Sequence, residues 1–174
     1  MIRAIILVIF WGLALAWPPL TPGAAAGSEL VHFKELLFFL DLKMPGWEVV
    51  DKPGGETLKQ ESIRMSQVKA SYKGDGEDQT MEIMILDSGG RGMPWLGVVP
   101  HMELESSEEY VRNTDIDGFK ASETYKHKTK EGALNINVAN RFWVRLEGRG
   151  LENIDPLKTA AQKMDLKKLA DLAK

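Results

Sequence analysis

The feature that most constrains this chain is the alternation across residues 133–150, ALNINVANRFWVRLEGRG. Leu134, Ile136 and Val138 alternate with Asn135 and Asn137. After Asn140, Phe142, Val144 and Leu146 alternate with Trp143, Arg145 and Glu147. Successive side chains of a strand point to opposite faces. Period-two patterning on both sides of a short Ala-Asn break therefore predicts a β-hairpin with one buried and one wetter face. The hairpin is expected at the centre of an antiparallel sheet, and the signal is structural rather than chemical.

Residues 1–26 stand apart from the fold. A positive start at Arg3 leads into an apolar run over residues 4–17, and a Pro-rich stretch ends in Ala24, Ala25 and Ala26. This is the three-part layout of a secretory signal peptide, with small residues placed for cleavage after Ala26. The run is shorter than the roughly 18 apolar residues that a spanning helix needs, so no transmembrane span is expected once the leader is cut. The chain contains no cysteine, which removes lipobox attachment, disulfides and thiolate chemistry. No Arg-Arg pair precedes the apolar run, which disfavours twin-arginine export. The expected location is periplasmic or extracellular, and residues 27–174 suit a single domain.

Against 25 acidic side chains stand 22 basic ones, a net charge of −3, and this weakly acidic balance argues against nucleic acid. Residues 27–42 place Leu30, Phe33, Leu36, Leu37 and Leu40 at helical spacing behind Ser28, a candidate cap, and Pro45-Gly46 ends that pattern. The adjacent Phe38 and Phe39 must face different ways. Strands are expected at residues 47–50, 66–72 and 80–87, with Pro53-Gly54-Gly55 as a stop. Met84 and Leu86 make the strand at 80–87 apolar on both faces, as a central strand is. A broken apolar crossover follows at residues 88–102. Extended segments then begin at Glu108 and Phe119, ahead of the hairpin. Asp155-Pro156 reads as a cap with proline at the first helical position, and Leu157, Ala160, Ala161 and Met164 share one face. Asp165 is placed to restart a second helix. The fold class is α+β: an antiparallel sheet with flanking N-terminal and C-terminal helices.

Several of these features also resemble known proteins. Trp47 after Pro45-Gly46, a strand closing on Ile85-Leu86-Asp87, Gly118 ahead of a strand, Arg141-Phe142 opening the last strand, and a final Asp-Leu-Lys-Lys-Leu helix together resemble exported bacterial proteins of unassigned function. The order of elements is similar to the PsbP-like α/β sandwich. The likeness spans most of residues 27–174, and none of its features is catalytic. It implies an accessory or binding module on a membrane complex, although a fold does not fix a function.

Candidate chemistry is sparse. Asn113, Asp115, Asp117 and Gly118 mimic the start of an EF-hand loop, but the twelfth position is Thr124, so an Asp-Gly turn explains the residues better. Gly89, Gly90 and Gly92 follow a strand without either phosphate-loop spacing. His32, His101 and His127 lie in three separate elements, which disfavours zinc, and the methionines form no repeat that would favour copper. No metal or cofactor is expected. No nucleophile elbow is present, which makes an enzyme the less favoured class. The favoured contact site is the segment 89–102, through Arg91, Met93, Trp95, Leu96, Val99 and Met102, because exposed Trp and Met mark interfaces. The bland alternative is that these residues cap the sheet as core. The reading is an exported, non-catalytic binding or accessory module at the cell envelope. The expected partner is an envelope protein or an apolar small ligand. The competing readings are a small exported enzyme with a spatially assembled site and a carrier of an apolar ligand.

Overall fold

The computed structural model describes residues 29–60, 64–90 and 103–174. The signal-peptide reading and the contact residues Arg91, Met93, Trp95, Leu96, Val99 and Met102 lie outside the described residues. The described chain is dominated by one nine-stranded antiparallel sheet accompanied by a few short helices. The strands are β1 (Trp47–Val49), β2 (Gly54–Lys59), β3 (Arg64–Gly74), β4 (Thr80–Asp87), β5 (Leu104–Glu105), β6 (Glu109–Ile116), β7 (Phe119–Lys126), β8 (Glu131–Val138) and β9 (Phe142–Arg149). Their spatial order is β1-β3-β4-β9-β8-β7-β6-β5, with β2 sharing the outer edge of β3 with β1. The hairpin β8–β9 and the doubly paired β4 form the middle of the sheet, as their patterning predicts.

Register fixes which side chains share a face. Leu134 opposes Leu146, Ile136 opposes Val144 and Val138 opposes Phe142 across the hairpin; Ile83 and Ile85 of β4 oppose Leu146 and Val144 on the other side. Together with Val68, Ala70 and Tyr72 of β3, these residues form the buried inner face. Helices cover it. The α-helix α1 (Phe33–Leu36) runs directly into a 3-10 turn (Leu37–Leu40), which buries Leu36, Phe39 and Leu40. The Tyr72 hydroxyl donates to the Leu40 carbonyl at 2.6 Å and pins this turn onto β3. On the other side, α2 (Asp155–Lys163) and α3 (Leu166–Asp171) contribute Leu157, Ala160, Ala161, Leu166 and Leu169 to the same core.

Two opposed glycines explain how closely the segment before α2 approaches the sheet. Gly132 and Gly148 face each other across β8 and β9. A Cβ at Gly148 would lie 2.5 Å from Leu151 Cδ1, and one at Gly132 would lie 2.8 Å from Ile154 Cδ1. The missing side chains make the seat into which Leu151, Ile154 and Leu157 pack, an example of close approach that only glycine permits.

Several expectations are corrected. The N-terminal helix is much shorter than residues 27–42. Residues 29–32 run non-helically: Val31 N–H donates to Asp87, His32 Nδ1 caps α1, and Thr57 Oγ1 accepts the N–H of Phe33 where the helix begins. Strand β1 does end ahead of Pro53, but Gly54 and Gly55 then open β2, an edge strand whose mostly exposed residues carry no apolar alternation. The short β5 also escaped the pattern. Asp155 is the first residue of α2 rather than its cap, and Asn153 Oδ1 accepts its N–H at 2.9 Å. Asp165 does cap α3, accepting from Lys168 N–H at 3.0 Å. Asp117 and Gly118, both at positive φ, make the two-residue turn between Ile116 and Phe119, and Asp115 Oδ1 accepts Gly118 N–H at 2.7 Å. That geometry is a hairpin turn, not a calcium loop.

Candidate functional site

The polar side chains fall into three groups, and their packing separates structural from available ones. The most buried group centres on Asp87, the last residue of β4. Arg141 grips it through two bonds, Nε to Oδ1 at 2.9 Å and Nη2 to Oδ2 at 2.9 Å. Val31 N–H and Gly89 N–H complete its shell at 2.7 and 2.8 Å. Arg141 also donates to the carbonyls of Leu172 at 3.1 Å and Glu29 at 2.6 Å. Neither side chain of the pair is more than 4% exposed. The turn that precedes β9 creates this arrangement. Ala139 and Asn140 both take φ +53, Arg141 N–H donates back to Val138, and Val138 pairs directly with Phe142. Arg141 is thereby left without a ladder partner, with its side chain on Asp87. Every acceptor position on Asp87 is taken, so the pair is a clasp tying both ends of the described domain to the sheet.

A second group lies on the inner face near β6 and β7. Glu123 is 4% exposed, and Lys158 of α2 places its ammonium 2.5 Å from Oε2. That oxygen nevertheless has no hydrogen bond of acceptable direction. At that distance the ammonium neutralises the charge, while the lone pairs of the oxygen are poorly used. Arg112 opposes Glu123 in register, lies 4.3 Å from the Tyr110 ring centroid, and binds Glu105 at 2.7 Å. Burial pushes the Tyr110 phenol up, and the nearby Glu123 charge adds to the shift. The Tyr125 phenol is also pushed up by burial, and its hydroxyl donates to the Leu151 carbonyl at 2.7 Å. His127 packs against both tyrosine rings.

The third group occupies the outer sheet face, which no described helix covers. A cross-strand row runs Lys69, Met84, Arg145, Asn135 and Ser122. A neighbouring row runs Gln67, Leu86, Trp143 and Asn137. Two grooves lie on this face. One of about 350 Å³ is lined by Thr124, Lys126, Glu131, Asn135, Arg145 and Glu147. The other, of about 530 Å³, opens where β1 and β2 part on the edge of β3, beside Lys52, Gly55, Gln67, Lys69 and Met84. Charges on this face are paired locally: Lys69 with Glu82 at 2.6 Å, Arg145 with Glu147, and Glu131 between Lys126 and Arg149. Arg145 sits 5.5 Å from the Trp143 ring centroid. Beneath it the Trp143 Nε1–H is buried and has no hydrogen-bond partner among the described residues. Leu86 and Asn135 on this face are each 8% exposed. This is the candidate site, because buried donors in native proteins are nearly always satisfied and this one is not.

The chain leaves β4 at Asp87 and re-enters at β5, with four strands between them, a distance of about 24 Å over five steps at the usual strand spacing. The contact segment read from the sequence belongs to this connection. Of the histidines, His32 caps a helix and His127 joins an aromatic cluster, while His101 lies outside the described residues. Among the described residues no group of three His, Cys, Asp or Glu is placed to hold a metal. No described helix is long and apolar enough to cross a membrane. Phe38 and Phe39 do face different ways: Phe39 is buried, whereas Phe38 is 63% exposed with the Lys168 ammonium 4.0 Å from its ring centroid. No protein-family model, curated protein or solved structure matches this chain.

Sequence reasoning missed both Trp143 and Glu123 as candidate residues. Trp143 carried a signal, being the one large aromatic at a wet-face position of the hairpin. Glu123 carried none, since acidic residues are common in strands facing water.

Proposed function

We propose that this chain is an exported, non-catalytic binding or accessory module at the cell envelope, with the outer sheet face around Trp143 as its contact surface. The observation that carries the reading is the buried Trp143 Nε1–H, which has no acceptor among the described residues. An unmet buried donor costs about 1–3 kcal/mol, a cost that a partner would recover by supplying an acceptor as the indole turns out toward it. Export is supported by the leader-like pattern of residues 1–26. The finer fold reading, an α+β layering with flanking helices on the inner face and a likeness to the PsbP-like sandwich, belongs to this proposal. The segment 89–102, with Arg91, Met93, Trp95, Leu96, Val99 and Met102, is proposed on its composition alone as a second part of the contact surface.

The test is capture of partners from the native envelope by tagged residues 27–174, comparing the unaltered chain with Trp143→Phe and Trp95→Ala. Trp143→Phe keeps an aromatic ring and deletes only the N–H and part of the indole, so folding should survive. A stoichiometric partner that Trp143→Phe releases supports the reading. Equal capture by the variant, with circular dichroism unchanged, removes Trp143 from the contact. A second reading is favoured by one observation, the buried Glu123 beside Lys158 and Tyr110, which is the kind of constellation a small enzyme with a spatially assembled site would use.

A further inference from the structure

We draw no further inference here: the strongest candidate, the Glu123–Lys158–Tyr110 cluster between α2 and strands β6 and β7, holds a carboxylate already neutralised by the helix that covers it, and nothing in the structure names an occupant for it.

Discussion

Replacing Arg141 by methionine tests the central claim about what holds the domain together. The substitution keeps most of the apolar stem but removes both bonds to Asp87 and the links to the Glu29 and Leu172 carbonyls. Asp87 then remains fully buried as a carboxylate with only two amide donors, Val31 and Gly89. Removing one partner of a buried pair costs about 3–5 kcal/mol, against a total stability on the order of 5–15 kcal/mol for a domain. With a urea m value of about 2 kcal/mol/M, the midpoint should fall by about 1.5–2.5 M at unchanged slope. Trp47, Trp95 and Trp143, the three tryptophans of residues 27–174, make fluorescence a convenient probe of that transition. Asp87→Asn alone should also destabilise, by stranding the guanidinium. The double variant should lose clearly less than the sum, because it leaves no unpaired charge behind, with a coupling of about 1–3 kcal/mol. A loss under about 1 kcal/mol for Arg141→Met, or strict additivity in the cycle, would refute the clasp as an organising contact.

Three smaller predictions follow from the same packing. Gly148→Ala forces a Cβ to within 2.5 Å of Leu151 Cδ1 and 3.1 Å of both Leu151 Cγ and Leu157 Cδ2. Overpacking of this kind should cost about 1–3 kcal/mol and lower the thermal midpoint, and an unchanged midpoint would show that the seat of α2 is looser than described. Lys158→Met strands the Glu123 charge and should destabilise by about 1–3 kcal/mol, with recovery in the Glu123→Gln/Lys158→Met double variant; equal stability of the single variant and the parent would make the pair incidental. Tyr72, Tyr110 and Tyr125, the three tyrosines of the chain, all have phenols pushed upward, in each case chiefly by burial. The folded state therefore holds these protons more tightly than the unfolded state does. The linked stability is fully present below about pH 10 and is lost as pH rises through the folded values. Absorbance titration should show tyrosinate appearing late and together with unfolding, whereas an ordinary titration of three phenols in a chain that stays folded would contradict their burial.

How much of this was legible in the sequence depended on how local each constraint is. The hairpin was legible because its information lies in adjacent residues: the alternation from Leu134 to Leu146 is the burial pattern itself. The faces of α2 and α3 were legible for the same reason, through Leu157, Ala160, Ala161, Leu166 and Leu169. Strand β2 was hidden because an edge strand needs only one neighbour and no buried face, so Gly-Gly-Glu-Thr-Leu-Lys satisfies its register with β3 without any apolar rhythm. Helical spacing alone overextends the first helix, because Asp87, 56 residues away from Val31, claims an amide there.

The same distinction separates the clasp from the candidate site. Asp87 and Arg141 are 54 residues apart in the chain, so no spacing rule could pair them. What the sequence did show was an acidic residue closing one apolar strand and a basic residue opening another. Once β4 and β9 are neighbours, with Asp87 opposite Phe142, those two ends meet, and the low dielectric of the core turns a coincidence of ends into a requirement for pairing. Trp143 is the converse case. Its strand position follows from alternation, yet its indole N–H ends up buried with nothing among the described residues to accept it, a conflict between local pattern and global packing. Unresolved conflicts of that kind are expected where a chain is shaped by something other than its own stability, and this places the search for a partner on the outer face of β9 rather than on the satisfied clasp at its end.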